Sequence, residues 1–99
     1  MTSRLLPLTA ISLIAAPVSA ADLKGASLMP MAKVSLAAAR HTALVARAGT
    51  IKDQELEREK GGSGLRYSFD ILSGGKAYEI GVDARTGKVL ENGVDAKAD

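Results

Sequence analysis

The chain has 99 residues, with 13 Lys and Arg against 11 Asp and Glu, and no cysteine. That length allows one small domain, and the missing thiols exclude a disulfide framework and a lipidated cysteine. Charges of both signs are interspersed; no basic stripe of the kind a nucleic-acid binder carries is visible, so no nucleic-acid partner is expected.

Residues 1–20 read as a cleavable secretory signal. Arg4 supplies a short positive n-region, and Leu5 to Ala16 form an uncharged apolar run. Pro17-Val18-Ser19-Ala20 is a small-residue end, with Val18 and Ala20 where a signal peptidase inspects the chain. Cleavage is expected after Ala20, with Ala21 the near alternative. A membrane-spanning helix needs roughly 20 predominantly apolar residues. Here the run is shorter and Pro7 interrupts it, so no stable membrane anchor is expected after cleavage. Loss of Arg4 leaves 12 basic against 11 acidic residues, a net charge of +1 over the remaining 79 residues. An exported chain without disulfides fits a bacterial envelope, as a periplasmic or secreted protein.

Residues 21–33 mix Gly, Ser, Pro and small residues without a clear period and read as a flexible linker. Met29 and Met31 lack the His or Cys that would make them a soft-metal site. Val34 to Ala48 reads as a helix. Ser35 is a good N-cap, and Leu36, Ala39, Ala43 and Ala46 follow the spacing of a buried stripe. Val34 and Ala39 are placed for a hydrophobic staple, and Gly49 for the C-terminal stop. Gly49 to Lys60 then alternates charges and reads as a charged edge strand. Its two strong apolar residues, Ile51 and Leu56, are five apart, so a β-bulge between them is needed to give them a common face.

Gly61-Gly62-Ser63-Gly64 is a turn. Leu65, Tyr67, Phe69 and Ile71 alternate with Arg66, Ser68 and Asp70, the pattern of a half-buried strand. After Ser73-Gly74-Gly75, the apolar face Tyr78, Ile80 and Val82 alternates with Glu79, Gly81 and Asp83. Asp83 is placed to accept hydrogen bonds from backbone N–H groups two or three residues on, and Gly87 to take φ > 0. Lys88-Val89-Leu90 begins a short last strand, and residues 92–99 read as a disordered tail. The expected fold class is α+β: one N-terminal helix packed on a three- to four-stranded antiparallel sheet, in the order αβββ.

Several residues together resemble a PepSY domain. They are the helix entry Val34-Ser35-Leu36 with Ala39 and Ala43, the segment Glu55-Leu56-Glu57, and the tyrosine-led strand Tyr67-Ser68-Phe69-Asp70-Ile71. The most specific piece runs from Tyr78 through Val82-Asp83-Ala84-Arg85-Thr86-Gly87 to Leu90. The resemblance covers 34–91. The chain departs from the family pattern at Ala37 and Ala38, where acidic residues are common, and at Gly81, where a longer residue is usual. The resemblance implies a non-catalytic interaction role, restraining a peptidase in the cell's surroundings, with no catalytic residues and no cofactor to transfer.

The residues themselves agree with that reading. His41 is the single histidine and has no cysteine to serve. Asp53, Glu55, Glu57 and Glu59 alternate along one strand, but Lys52, Arg58 and Lys60 interleave with them, as on a solvated edge rather than a metal site. Gly61–Gly64 lacks the Lys-Ser/Thr of a phosphate loop. The expected partner-binding edge comprises Ile51, Asp53, Glu55, Leu56, Glu57 and Gly62, docking a peptidase or other envelope protein by β-augmentation. Rival readings are an envelope sensor or small-ligand module with its site between helix and sheet, a structural envelope protein, and self-association into a homo-oligomer.

Overall fold

The computed structural model describes residues 22–96, so the expected signal at 1–20 lies outside the described residues. A 3-10 helix, Ala26–Met31, is followed by one α-helix, α1 (Leu36–Ala46). Four strands come next: β1 (Thr50–Arg58), β2 (Leu65–Ser73), β3 (Lys76–Asp83) and β4 (Val89–Val94). They form one antiparallel meander in the order β1-β2-β3-β4. The α+β arrangement read from the alternation is therefore the one observed.

Ser35 caps α1 through its hydroxyl, which accepts from the Ala38 N–H at 3.1 Å. Leu36, Ala39 and Ala43 are its buried stripe. The helix ends at Ala46, two residues short of the expected end, and Arg47 is the extended residue after it. Gly49 is not the left-handed stop. A side chain there would lie 2.3 Å from the Leu72 carbonyl oxygen, so glycine serves the close approach to β2.

The bulge demanded by Ile51 and Leu56 is present, between Ile51 and Asp53. It places three rows of residues across the inner face of the sheet. Ile51, Ile71, Tyr78 and Val94 form one; Gln54, Phe69, Ile80 and Asn92 the next; Leu56, Tyr67, Val82 and Val89 the third. Phe69, Ile71, Ile80, Val82, Ala39 and Ala43 are fully buried where α1 crosses this face. Small alanines let the helix backbone approach the sheet. The Tyr67 hydroxyl donates to the Val34 carbonyl at 2.8 Å, fixing the helix entry over β2.

Two ends of the domain are more ordered than the sequence suggests. The segment expected as a flexible linker packs on the sheet: Leu23 is buried, and Lys24 forms a parallel bridge with Glu55. Residues 92–94, expected as tail, belong to β4, and the Asn92 amide donates to the Ala46 carbonyl at the end of α1. Both differences arise from long-range contacts that no local pattern displays.

Asp83 closes the fold. It is 1% exposed. Its carboxylate accepts from the Ser63 N–H (2.6 Å) and hydroxyl (2.7 Å), the Arg85 N–H (2.8 Å) and the Thr86 N–H (3.1 Å). The last two are the bonds expected of the turn; those to Ser63 tie in the β1–β2 loop. Burial would raise its pKa, yet the Ser63, Arg85 and Thr86 donors hold it far below the usual 3.8. The Ala84 carbonyl accepts from the N–H groups of Lys33 and Val34, so the same turn anchors the helix entry.

Asp83→Asn would turn an amide donor toward these donors. A loss of about 2 kcal/mol is expected, read as a lowered urea midpoint at pH 6. The pH dependence has a definite sign. Because the folded pKa lies below the unfolded value, the Asp83 contribution is complete above the usual carboxylate range and is lost as pH falls below about 4. The gap between wild type and Asp83→Asn should therefore narrow at pH 3. Burial raises the pKa of Asp70 and Glu57, an opposite effect common to both proteins that cancels in this difference.

Candidate functional site

β1 is an edge strand, but its outward backbone groups are partly taken. The Lys24 N–H donates to the Gln54 carbonyl (3.2 Å), and the Leu56 N–H donates to the Lys24 carbonyl (2.7 Å). Gly25 sits so close that a Cβ would lie 1.9 Å from the Leu56 carbonyl oxygen. The N-terminal segment thus occupies the edge at which β-augmentation was expected. Leu56 is buried core. Ile51 faces Ile71 on the inner side. Gly62, with φ +53, has no room for a Cβ, which would lie 2.3 Å from Asp83 Oδ2. These three residues build the fold, and the structure does not bring them to a common surface. The opposite edge is β4. The Asp95 N–H donates to the Ala77 carbonyl (3.0 Å); by the alternation of an antiparallel ladder, the backbone groups of Asn92 and Val94 therefore point outward.

Asp53, Glu55 and Glu57 do share a surface: the outer face of the sheet, away from α1. Register joins them to residues that the edge-strand reading left out. Asp53 faces Asp70, and Asp70 faces Glu79. Glu55 faces Ser68, Ser68 faces Gly81, and Gly81 faces Glu91. Glu57 faces Arg66. The sequence signal for Arg66, Asp70 and Glu79 was present, since they are the polar positions of the alternating strands. What it lacked was the register that sets them side by side.

The electrostatics of this face follow from the rows. Burial and the nearby Asp95 and Asp53 carboxylates raise the pKa of Asp70. Burial and a hydrogen bond with Glu59 raise that of Glu57, although the Ser68 hydroxyl donates to it at 2.9 Å. At the rim, the Lys24 ammonium donates to Asp53 at 2.8 Å and lowers its pKa. Arg66 lies within the face and is 8% exposed. Its guanidinium is 3.6 Å from both Glu59 and Glu91, and it donates to the Lys60 carbonyl at 3.1 Å. A Cβ on Gly81 would lie 2.9 Å from Arg66 Cδ, so the departure from the family pattern at Gly81 makes room for the arginine stem.

The inner face offers little space between helix and sheet, where alanines meet fully buried apolar side chains. An open depression of about 360 Å³ lies beside β1, lined by Asp22, Arg40, Ile51, Lys52, Asp53 and Gln54, with charges of both signs. Among the described residues no cluster of His, Asp or Glu is arranged to hold a metal ion, and no helix is long and apolar enough to cross a membrane. His41 stands exposed on α1.

Residues 33–92 match the family model of the peptidase propeptide and YPEB domain, PepSY. No curated protein and no solved structure matches the chain.

The packing of Arg66 on Gly81 is testable by a double-mutant cycle. Gly81→Val should destabilise the wild-type chain by about 1–2 kcal/mol through overpacking. In the Arg66→Ser background the same change should cost at least ~0.5 kcal/mol less, measured by urea unfolding.

Proposed function

The chain belongs to the PepSY family, and on that premise we propose that it is a non-catalytic, exported interaction module that binds and restrains a peptidase in the periplasm or extracellular space. The family match over residues 33–92 carries this reading, because PepSY domains are generally non-catalytic and are associated with peptidase propeptides and inhibitors. The geometry supports it. An inhibitor must present a fixed surface, and this sheet is held by Asp83 at one end and by the Tyr67–Val34 bond at the helix entry. One helix on one face leaves the other face of the sheet as contact surface. Export is part of the proposal and rests on the signal-like pattern at 1–20, in a family typical of exported proteins.

A small-ligand module is the second reading. The depression beside β1, with Arg40 and Lys52 on its wall, favours it. The helix–sheet interface is filled by apolar side chains, so a ligand would have to sit in that open depression.

A tagged chain lacking residues 1–20, used to capture partners from the host's envelope extract, separates the two. Recovery of a peptidase at near-equal stoichiometry is expected, and titrating the purified chain into that peptidase should lower its activity with an endpoint near one to one. A capture without any peptidase, together with a thermal shift caused by a small molecule, would replace the inhibitory reading with the ligand reading.

A further inference from the structure

The two edges of the sheet are finished differently. β1 is dense in charge, with Lys52, Asp53, Glu55, Glu57 and Arg58, and the chain's own Lys24 takes backbone groups of Gln54 and Leu56. No described segment lies along β4. From Asn92 to Val94 it carries neither charge nor proline, the usual means of keeping an edge from pairing with another chain. Its outward groups are those of Asn92 and Val94, since the alternate residues are spent on β3. Val94 is also the most exposed large apolar residue of the sheet, at 66%.

Gly93 stands between those two residues, and the single chain does not call for glycine there. Its φ is not positive, and nothing lies within 4 Å of where a Cβ would stand. Glycine inside a strand weakens it and often marks a place where another backbone comes close.

We propose that β4 pairs with β4 of a second copy, antiparallel, about a twofold axis at Gly93. The regular ladder on β3 runs from Glu91 to Asp95, with Gly93 at its centre. It is bounded on one side by the irregularity at Leu90, where the register shifts between Gly81 and Val82, and on the other by the end of the strand. A copy turned about Gly93 has the same limits in reverse, so the two regular stretches match over their whole length. A longer foreign strand would run into the irregularity. Asn92 then faces Val94 of the second copy, each such pair exchanging both backbone hydrogen bonds. Gly93 faces Gly93 in the closer type of pair, where Cα atoms approach to about 4.5 Å. The surface is self-complementary, as an isologous dimer requires. One term opposes it: Glu91 comes opposite Asp95 of the second copy, and like charges so placed are unfavourable. With so short an edge, the pairing is reversible. It leaves the outer face of both sheets free, and it does not rest on the inhibitory reading.

The test is sedimentation equilibrium of the protein purified from its host, at about 5 µM and about 500 µM. The weight-average mass should rise from near one chain toward two. Val94→Pro removes an outward donor and no bond to β3, and should stay a single chain at the higher concentration. Its urea midpoint, read at the lower one, reports whether it is folded. Val94→Lys is the second variant, placing a cation at the edge, and should weaken association at least fivefold. Asp95→Lys converts the opposed carboxylates into opposite charges and should tighten association about fivefold, although it makes a net positive chain more positive. In the 15N-labelled protein, amide shifts that change with concentration should centre on residues 92–95. A mass of one chain at both concentrations overturns the proposal. So does association that survives in both Val94 variants, or concentration-dependent shifts centred on β1. Weaker association of Asp95→Lys overturns the twofold at Gly93. A chain that stays single, yet loses peptidase capture on Val94→Lys, assigns this edge to the peptidase instead and overturns the second copy.

Discussion

The buried carboxylate of Asp83 is the interaction on which the rest of the domain depends. A charge 1% exposed is costly to bury unless it is fully hydrogen-bonded, and here four donors from two loops meet it. The consequences spread from that turn. Ser63 is drawn in, which fixes the β1–β2 connection and forces Gly62 into a left-handed conformation too tight for a side chain. Ala84, next in sequence, accepts the N–H groups of Lys33 and Val34 and donates to the Leu65 carbonyl. Arg85 reaches back to the Ser63 carbonyl at 2.8 Å. Helix entry, second strand and third turn therefore share one anchor, and the Asp83-Ala84-Arg85-Thr86-Gly87 segment is that anchor written in sequence.

The helix is held at its flanks as well as at its entry. Arg40 donates to Gln54 on β1, and Arg47 to Asn92 on β4, the two ends of one row across the inner face. The interior of that row is Phe69 and Ile80, fully buried beneath the helix. Apolar burial is non-directional, whereas polar pairs at both edge strands fix the helix's position over the sheet. The two layers are thereby locked without a disulfide, in a chain small enough to need such fastening.

The strand alternation, the bulge, the Ser35 cap and the Asp83 turn were legible because each is set by residues within a few positions of one another. The turn at Gly87 was legible for the same reason, and its φ is +79°. Three features were not. The end of α1 at Ala46 depends on Arg47 reaching Tyr78 and Asn92, far along the chain. The ordered course of residues 22–31 depends on a parallel bridge to Glu55. The candidate surface was half legible: the alternating acids of β1 drew attention to the correct strand, but to its edge. Only the register shows that Leu56 points into the core and Lys24 covers the edge, while Asp53, Glu55 and Glu57 join the outer face.

That outer face distinguishes a requirement of folding from a choice beyond it. An antiparallel sheet with one face in water needs polar residues on that face, but nothing in folding prescribes their sign. Mixed signs pair across strands and stabilise a sheet, and at the rim of this face the Lys24 ammonium donates to Asp53 at 2.8 Å. Within the same face, Arg66 shows that the backbone readily accommodates a cation among these carboxylates, once Gly81 gives it room.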